Sequence, residues 1–258
     1  MRGRIAESFL NGSNHLKGDE ALLPHIHIGS VTISCYYLAM FLGYVFMVVL
    51  MLLQYRRRMY ELGPVKAFLF ATLVLILGIV GCKILFVLEN IRWVIKNGFT
   101  FGGFSFYGAV LFIPLVMPLC QKPFRLDTRS VLDSSAICIV AMLGTIRIGC
   151  YCNGCCGGRV FGSGENLFVL PTQLIECALD FLILFLLLKY EKKGGFKGRL
   201  YPKFLLFYGV GRFFIEFLRA TNKDWLFLSH AQWFSIAAVA VGVVFEIRFR
   251  KHKAEQAV

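Results

Sequence analysis

Apolar stretches of near-spanning length follow one another along almost the whole chain, with short gaps between them. The hydrocarbon core of a bilayer is about 30 Å thick, so a helix needs roughly 17–25 mostly apolar residues to cross it. Runs that reach or approach this length cover residues 31–53, 67–88, 104–119, 131–148, 172–188, 201–218 and 231–245. A water-soluble fold has nowhere to hide them. Of the 258 residues, 57% are hydrophobic and 17% charged, whereas soluble domains run nearer half apolar and a quarter charged. The expected fold is therefore an all-α integral membrane protein with seven transmembrane helices, a single polytopic domain covering residues 1–258. The 104–119 run contains Pro114 and Pro118, which a membrane helix tolerates when its neighbours re-satisfy the freed backbone.

The net charge of +13 would suit nucleic acid only if it formed a basic face on a soluble fold. Here the basic residues punctuate the apolar runs, so no nucleic-acid partner is expected. Of the 28 lysines and arginines, 17 fall in alternate gaps: Arg56, Arg57, Arg58 and Lys66; Lys122, Arg125 and Arg129; Lys189, Lys192, Lys193, Lys197, Arg199 and Lys203; and Arg248, Arg250, Lys251 and Lys253. Cytoplasmic loops carry the excess of Lys and Arg, which predicts an outside N-terminus and a cytoplasmic C-terminus. The first 24 residues read as neither signal peptide nor span. A small N-terminal arm (1–30) and the loop 150–171 are expected on the extracytoplasmic side.

A charge at the bilayer centre costs about 2.5–3.5 kcal/mol on insertion scales, which makes ionisable residues in spans candidates for function. The chain has Lys83, Glu89, Asp133, Arg147, Glu176, Asp180, Arg212 and Glu216. Ion pairing or snorkelling accounts for Lys83, Glu89 and Asp180. Arg147 and Arg212 differ, since each lies in the outer half of its span beside glycine, in Arg147-Ile148-Gly149 and Gly209-Val210-Gly211-Arg212. Planar guanidinium forks at that depth suit a phosphate head group. Glu216, one turn beyond Arg212, is placed to hold it.

The segment from Arg147 to Arg159 is dense in glycine and cysteine, with Cys150, Cys152, Cys155 and Cys156 close together. Three readings of it stay open. The thiols can bind zinc, although no second cysteine cluster or histidine pair lies near in sequence. Cys152-Asn153-Gly154-Cys155 is a CxxC that can carry a disulfide. Alternatively, the glycines and Asn153 shape a substrate-binding turn, and the thiols act as small packing residues.

At this segment the chain resembles the bacterial prolipoprotein diacylglyceryl transferases. Arg147, Gly149, Asn153, Gly154, Gly158 and Arg159 fall in register with that family's signature. The likeness extends along most of the chain: Cys35-Tyr36-Tyr37-Leu38 with Tyr36 on the family's functional tyrosine, Ser105-Phe106-Tyr107-Gly108-Ala109, Pro171-Thr172-Gln173-Leu174-Ile175-Glu176, and Tyr208-Gly209-Val210-Gly211-Arg212 with Glu216 and Arg219. There are departures. Tyr107 stands where the family has a histidine, Cys150 and Cys155 replace the signature's first asparagine and its glutamate, and Lys83 replaces an arginine.

The resemblance implies transfer of a diacylglyceryl group from phosphatidylglycerol, or a similar anionic phospholipid, to the lipobox cysteine of a preprolipoprotein signal peptide. Glycerol phosphate would leave, with no cofactor and no metal. It implies a multi-pass protein of the bacterial cytoplasmic (inner) membrane, embedded in the bilayer with its site facing the outer side. The catalytic residues implied are Arg147, Arg212 and Tyr107. The lipid-binding set is Tyr36, Asn153, Gly154, Gly158, Arg159, Gln173, Glu176, Tyr208 and Glu216. Tyr107 has two possible roles, as an ionised base or as a neutral hydrogen-bond donor that positions the lipid. An alternative is a related transferase with another acceptor, or a membrane thiol–disulfide oxidoreductase using Cys152 and Cys155.

Overall fold

The computed structural model describes residues 25–28, 31–58, 64–99, 105–120, 128–162, 168–192, 198–219 and 227–255. Most of the N-terminal arm, together with Lys122, Arg125, Lys193 and Lys197 of the basic gaps, lies outside the described residues. Two short strands come first, β1 (His25–Ile28) and β2 (Val31–Ser34), paired antiparallel with Ile26 opposite Ile33. The helices follow: α1 (Cys35–Arg58), α2 (Pro64–Glu89), the short α3 (Ile91–Asn97), α4 (Phe106–Cys120) and α5 (Thr128–Cys152). A second small ribbon, β3 (Val160–Phe161) with β4 (Phe168–Val169), leads to α6 (Thr172–Lys192). Then come α7 (Leu200–Ile215), which tightens into a 3₁₀ turn at Glu216–Leu218, and α8 (His230–Glu255).

Each apolar run of the sequence coincides with one of the long helices, with one correction at the start. Residues Val31–Ser34 belong to β2, so the first helix begins at Cys35. The alternation His-Ile-His-Ile, then Val-Thr-Ile-Ser, has the two-residue period of a strand. Among the described residues, four helical segments are long and apolar enough to cross a membrane: Cys35–Gln54, Phe68–Glu89, Arg129–Cys152 and His230–Arg248. Helices α4 and α7 are shorter, at 15 and 16 residues, and α6, though continuous, carries Glu176, Asp180 and Lys189 among its apolar residues.

Helix α5 is the packing centre. It lies against α1, α6 and α7, and its residues from Ala136 to Ala141 are buried. Small residues let this happen, because in lipid helices associate through close van der Waals contact. A Cβ on Gly149 would lie 2.6 Å from Ala39 Cβ on α1, and one on Gly144 would lie 3.3 Å from Asp180 Cβ on α6. Helices α2 and α4 cross equally closely at Gly81 and Gly108, where a Cβ on Gly81 would come within 2.6 Å of the Gly108 carbonyl. Outward-facing positions carry Phe41, Leu42, Ile76, Ile79, Phe185, Phe214 and Val244, all exposed. That distribution suits a lipid solvent.

Three of the ionisable residues have structural work. Asp133, fully buried on α5, accepts hydrogen bonds from the backbone N–H groups of Gly198 (2.7 Å), Leu200 (2.8 Å) and Tyr201 (3.1 Å). It therefore supplies the start of α7 with the acceptors its free N–H groups need. Glu89 accepts a hydrogen bond from Ser105 Oγ at 3.1 Å. The Lys83 ammonium lies 5.1 and 4.8 Å from the ring centroids of Phe86 and Phe99, within cation–π range.

Candidate active site

The end of α5 is closed by hydrogen bonds that the sequence dictates. Gly154 N–H donates to the Tyr151 carbonyl (3.1 Å) and Cys155 N–H to the Cys150 carbonyl (3.0 Å), with Gly154 at φ 63°. This is a Schellman turn, whose left-handed residue is ordinarily glycine. Beyond it, Gly158 N–H donates to the Leu170 carbonyl and Arg159 N–H to that of Leu218, both at 2.9 Å. A Cβ on Gly158 would press on Thr172 Cγ2 (2.7 Å) and on the Leu170 and Leu218 carbonyls (2.8 Å each), so only glycine fits. The loop is thereby clamped between the segment before α6 and the end of α7. Gln173 Nε2 donates to the Cys155 carbonyl (2.7 Å) and Thr172 Oγ1 to that of Cys156 (3.2 Å), fixing the turn over the first turn of α6.

Below this turn stands Glu176, buried. Arg147 Nε reaches its Oε2 at 2.5 Å from α5. Arg212 Nη1 on α7 lies 3.2 Å from its Oε1, and Arg219 Nη1, past the 3₁₀ turn, 2.9 Å from the same oxygen. Glu216 Oε2 takes Arg212 Nη1 at 2.7 Å, one helical turn along. Three guanidiniums thus meet two carboxylates, which leaves an excess of positive charge in that set. Arg219 Nε is buried and makes no hydrogen bond among the described residues. Such planar donors suit the oxygens of a phosphate.

Tyr107, buried at the start of α4, does not touch these arginines. Its hydroxyl lies 2.5 Å from Ser235 Oγ on α8, and Ser235 in turn donates to the Ala231 carbonyl (2.7 Å). The Tyr107 ring stacks on Phe234 (centroids 5.4 Å apart) and meets Tyr208 edge-on (6.1 Å). Tyr208 stacks on Phe204 at 5.6 Å, so the tyrosines form an aromatic wall beside the charged cluster. Tyr36 lies on α1 within electrostatic reach of Arg147, Cys150, Cys155 and Cys156.

The structure therefore gathers Arg147, Arg212, Glu176 and Glu216 into one ion-pair cluster, flanked by Tyr36, Gln173, Tyr208 and the turn at Gly154 and Gly158. Asn153 and Arg159 are exposed at the turn. Arg219 belongs to it and was visible in sequence only as the basic residue following Glu216 in the last matched motif. The sulfurs of Cys150, Cys155 and Cys156 lie within 4.8 Å of one another, and Cys152 is not among them. The Cys156 thiol is held well below the usual thiol range, because the thiols of Cys150 and Cys155 hydrogen-bond to it and Arg219 and Arg147 stand near.

Residues 24–248 match the family described as prolipoprotein diacylglyceryl transferase. A phosphatidylglycerol–prolipoprotein diacylglyceryl transferase of Clostridium tetani is 33% identical over 193 residues, which is 67% of this chain and 78% of that protein. A second enzyme of that name, from Clostridium perfringens, is 29% identical over 213 residues, covering 74% of this chain and 83% of the relative. One from Bordetella parapertussis is 36% identical over 155 residues, 55% of this chain and 59% of its own length.

Proposed function

Because this chain belongs to the prolipoprotein diacylglyceryl transferase family, we propose that it moves a diacylglyceryl group from phosphatidylglycerol to the lipobox cysteine of a preprolipoprotein. The observation that carries the reading is the convergence of Arg147, Arg212 and Arg219 on Glu176 beneath a glycine-shaped turn. In the reaction the acceptor sulfur attacks the glyceryl carbon, the carbon–oxygen bond breaks, and glycerol phosphate departs with the electron pair. The thiol's proton is lost to solvent or to the leaving group. Negative charge on the departing phosphate is met by fixed guanidiniums in a site of low dielectric, where such preorganised donors are most effective. Glu176 and Glu216 hold the forks in position between turnovers.

Tyr107 acts in this scheme as a neutral positioning group. Its hydroxyl is committed to Ser235, and its ring lines the wall that the glyceryl portion of the lipid would meet. Between α7 and α8 runs an apolar groove lined by Gly209, Phe213, Phe214, Ser235 and Val239. It reaches the serine that holds Tyr107 and suits an acyl chain. The alternation of basic gaps supports seven spans in the bacterial cytoplasmic membrane, an outside N-terminus and an outward-facing site.

The test is to incubate the purified protein with labelled phosphatidylglycerol and a lipobox peptide, then to weigh both products. A peptide heavier by one diacylglyceryl group, with glycerol phosphate in equal amount, is expected. Glycerol phosphate without a modified peptide would assign another acceptor, and the absence of both products would overturn the reading.

A further inference from the structure

Helix-end geometry, and not the spacing of a motif, brings three thiols together. In the Schellman turn at Gly154, Cys150 is the third residue from the helix end and Cys155 the second residue past it, the two positions whose side chains meet across such a cap. Cys156 then adopts φ 65°, a left-handed conformation that residues with a Cβ rarely take. Its sulfur joins the other two, and all three lie within 4.8 Å of one another. The arrangement is braced from outside by Gln173 on the Cys155 carbonyl and Thr172 on that of Cys156.

We propose that Cys150, Cys155 and Cys156 form a binding site for a thiophilic divalent cation of the zinc class, held by three thiolates with its fourth position open beside the exposed Cys156. Tetrahedral zinc–sulfur bonds of about 2.3 Å set sulfurs roughly 3.8 Å apart, so small side-chain rotations close the observed triangle on an ion. Three thiolates and one divalent ion carry a single net negative charge, and the guanidiniums of Arg147 and Arg219 lie near enough to balance it. A disulfide would use two of these sulfurs and leave the third unexplained. Two of the three cysteines stand where the resemblance has an asparagine and a glutamate, so the site is a property of this chain and not of the family signature. The proposal does not depend on the transferase reading.

The full chain, purified in detergent with reductant and stripped by chelator, is titrated with Co²⁺ as a spectroscopic probe and then with Zn²⁺ as competitor. We expect one Co²⁺ per chain, a sulfur-to-cobalt charge-transfer band, displacement by Zn²⁺, loss of the band in Cys156→Ser and its retention in Cys152→Ser. A measurement that needs no variant is alkylation of the wild-type protein with peptide mapping. At ten times the dissociation constant, Zn²⁺ should slow modification of the three cysteines about tenfold by mass action. Absence of the band, its survival in Cys156→Ser, or equal alkylation with and without Zn²⁺ would each overturn the site.

Discussion

Glu176 holds three guanidiniums with one carboxylate, and what each substitution does follows from what it leaves behind. Changing Arg147 or Arg212 to alanine should lower kcat by about 10²–10³, the usual cost of losing a preorganised donor to a developing oxyanion. Lysine should rescue little, since it offers no planar fork. Release of glycerol phosphate from labelled lipid measures both, and near-normal rates in the two lysine variants would reduce the cluster to plain ion pairing. Tyr107 calls for a different design. Tyr107→Phe and Ser235→Ala break the same hydrogen bond, worth about 0.5–1.5 kcal/mol, so each should slow turnover no more than roughly tenfold. The double variant should be no worse than either single one, and additive losses would mean that the tyrosine acts on the substrate directly. Arg147, Arg212 and Glu216 were legible in sequence because charge inside an apolar span demands a reason. The cysteine cluster was legible only as four neighbouring thiols that could bind zinc; that Cys150, Cys155 and Cys156 meet while Cys152 does not appears only once the helix end is drawn.

At the level of elements, glycine decides which helices can touch. Gly108 and Gly81 let α2 and α4 cross backbone to backbone, at the point where Tyr107 enters α4. Gly108→Val should force the pair apart and displace Tyr107, lowering the thermal midpoint in detergent and turnover together. An unchanged midpoint would contradict the close crossing. At the end of α5, Gly154→Val should be far worse than Cys152→Ser, because Gly154 sits at φ 63° and Cys152 lies outside the sulfur cluster. Comparing the two rates checks this, and an inactive Cys152→Ser enzyme that cycles between oxidised and reduced forms would instead favour thiol–disulfide chemistry. The helices were readable from runs of apolar residues, since that pattern is long and redundant. The β1–β2 pairing was missed because a four-residue alternation next to a long apolar run is absorbed into the run.

For the whole molecule the distribution of charge makes one demand. With basic residues in alternate gaps, a reporter fused after Val258 should be active only in the cytoplasm, and a tag ahead of β1 should be accessible only from outside. Activity of the C-terminal reporter on the outer side would invert the topology. The helical, membrane-type fold class followed from composition and the order of the helices from the apolar runs, but the depth of each helix in the bundle did not. Hydropathy gives the wrong order: α5, two-thirds buried over its span, is the less apolar of the two, and α2, 18% buried, the more apolar. What distinguishes them is the serine, alanine, cysteine and glycine content of α5, a packing signal and not a hydropathy one.

Asp133 carries a consequence for how the protein is made. Its carboxylate sits on α5, but the N–H groups that satisfy it begin with Gly198, 65 residues later. A ribosome adding about 5–20 residues per second needs roughly 3–13 s to supply them. During that interval the three backbone donors at the start of α7 are not yet made, so this cap closes only after α6 is complete. The start of α7 thus docks onto an acceptor that α5 already presents.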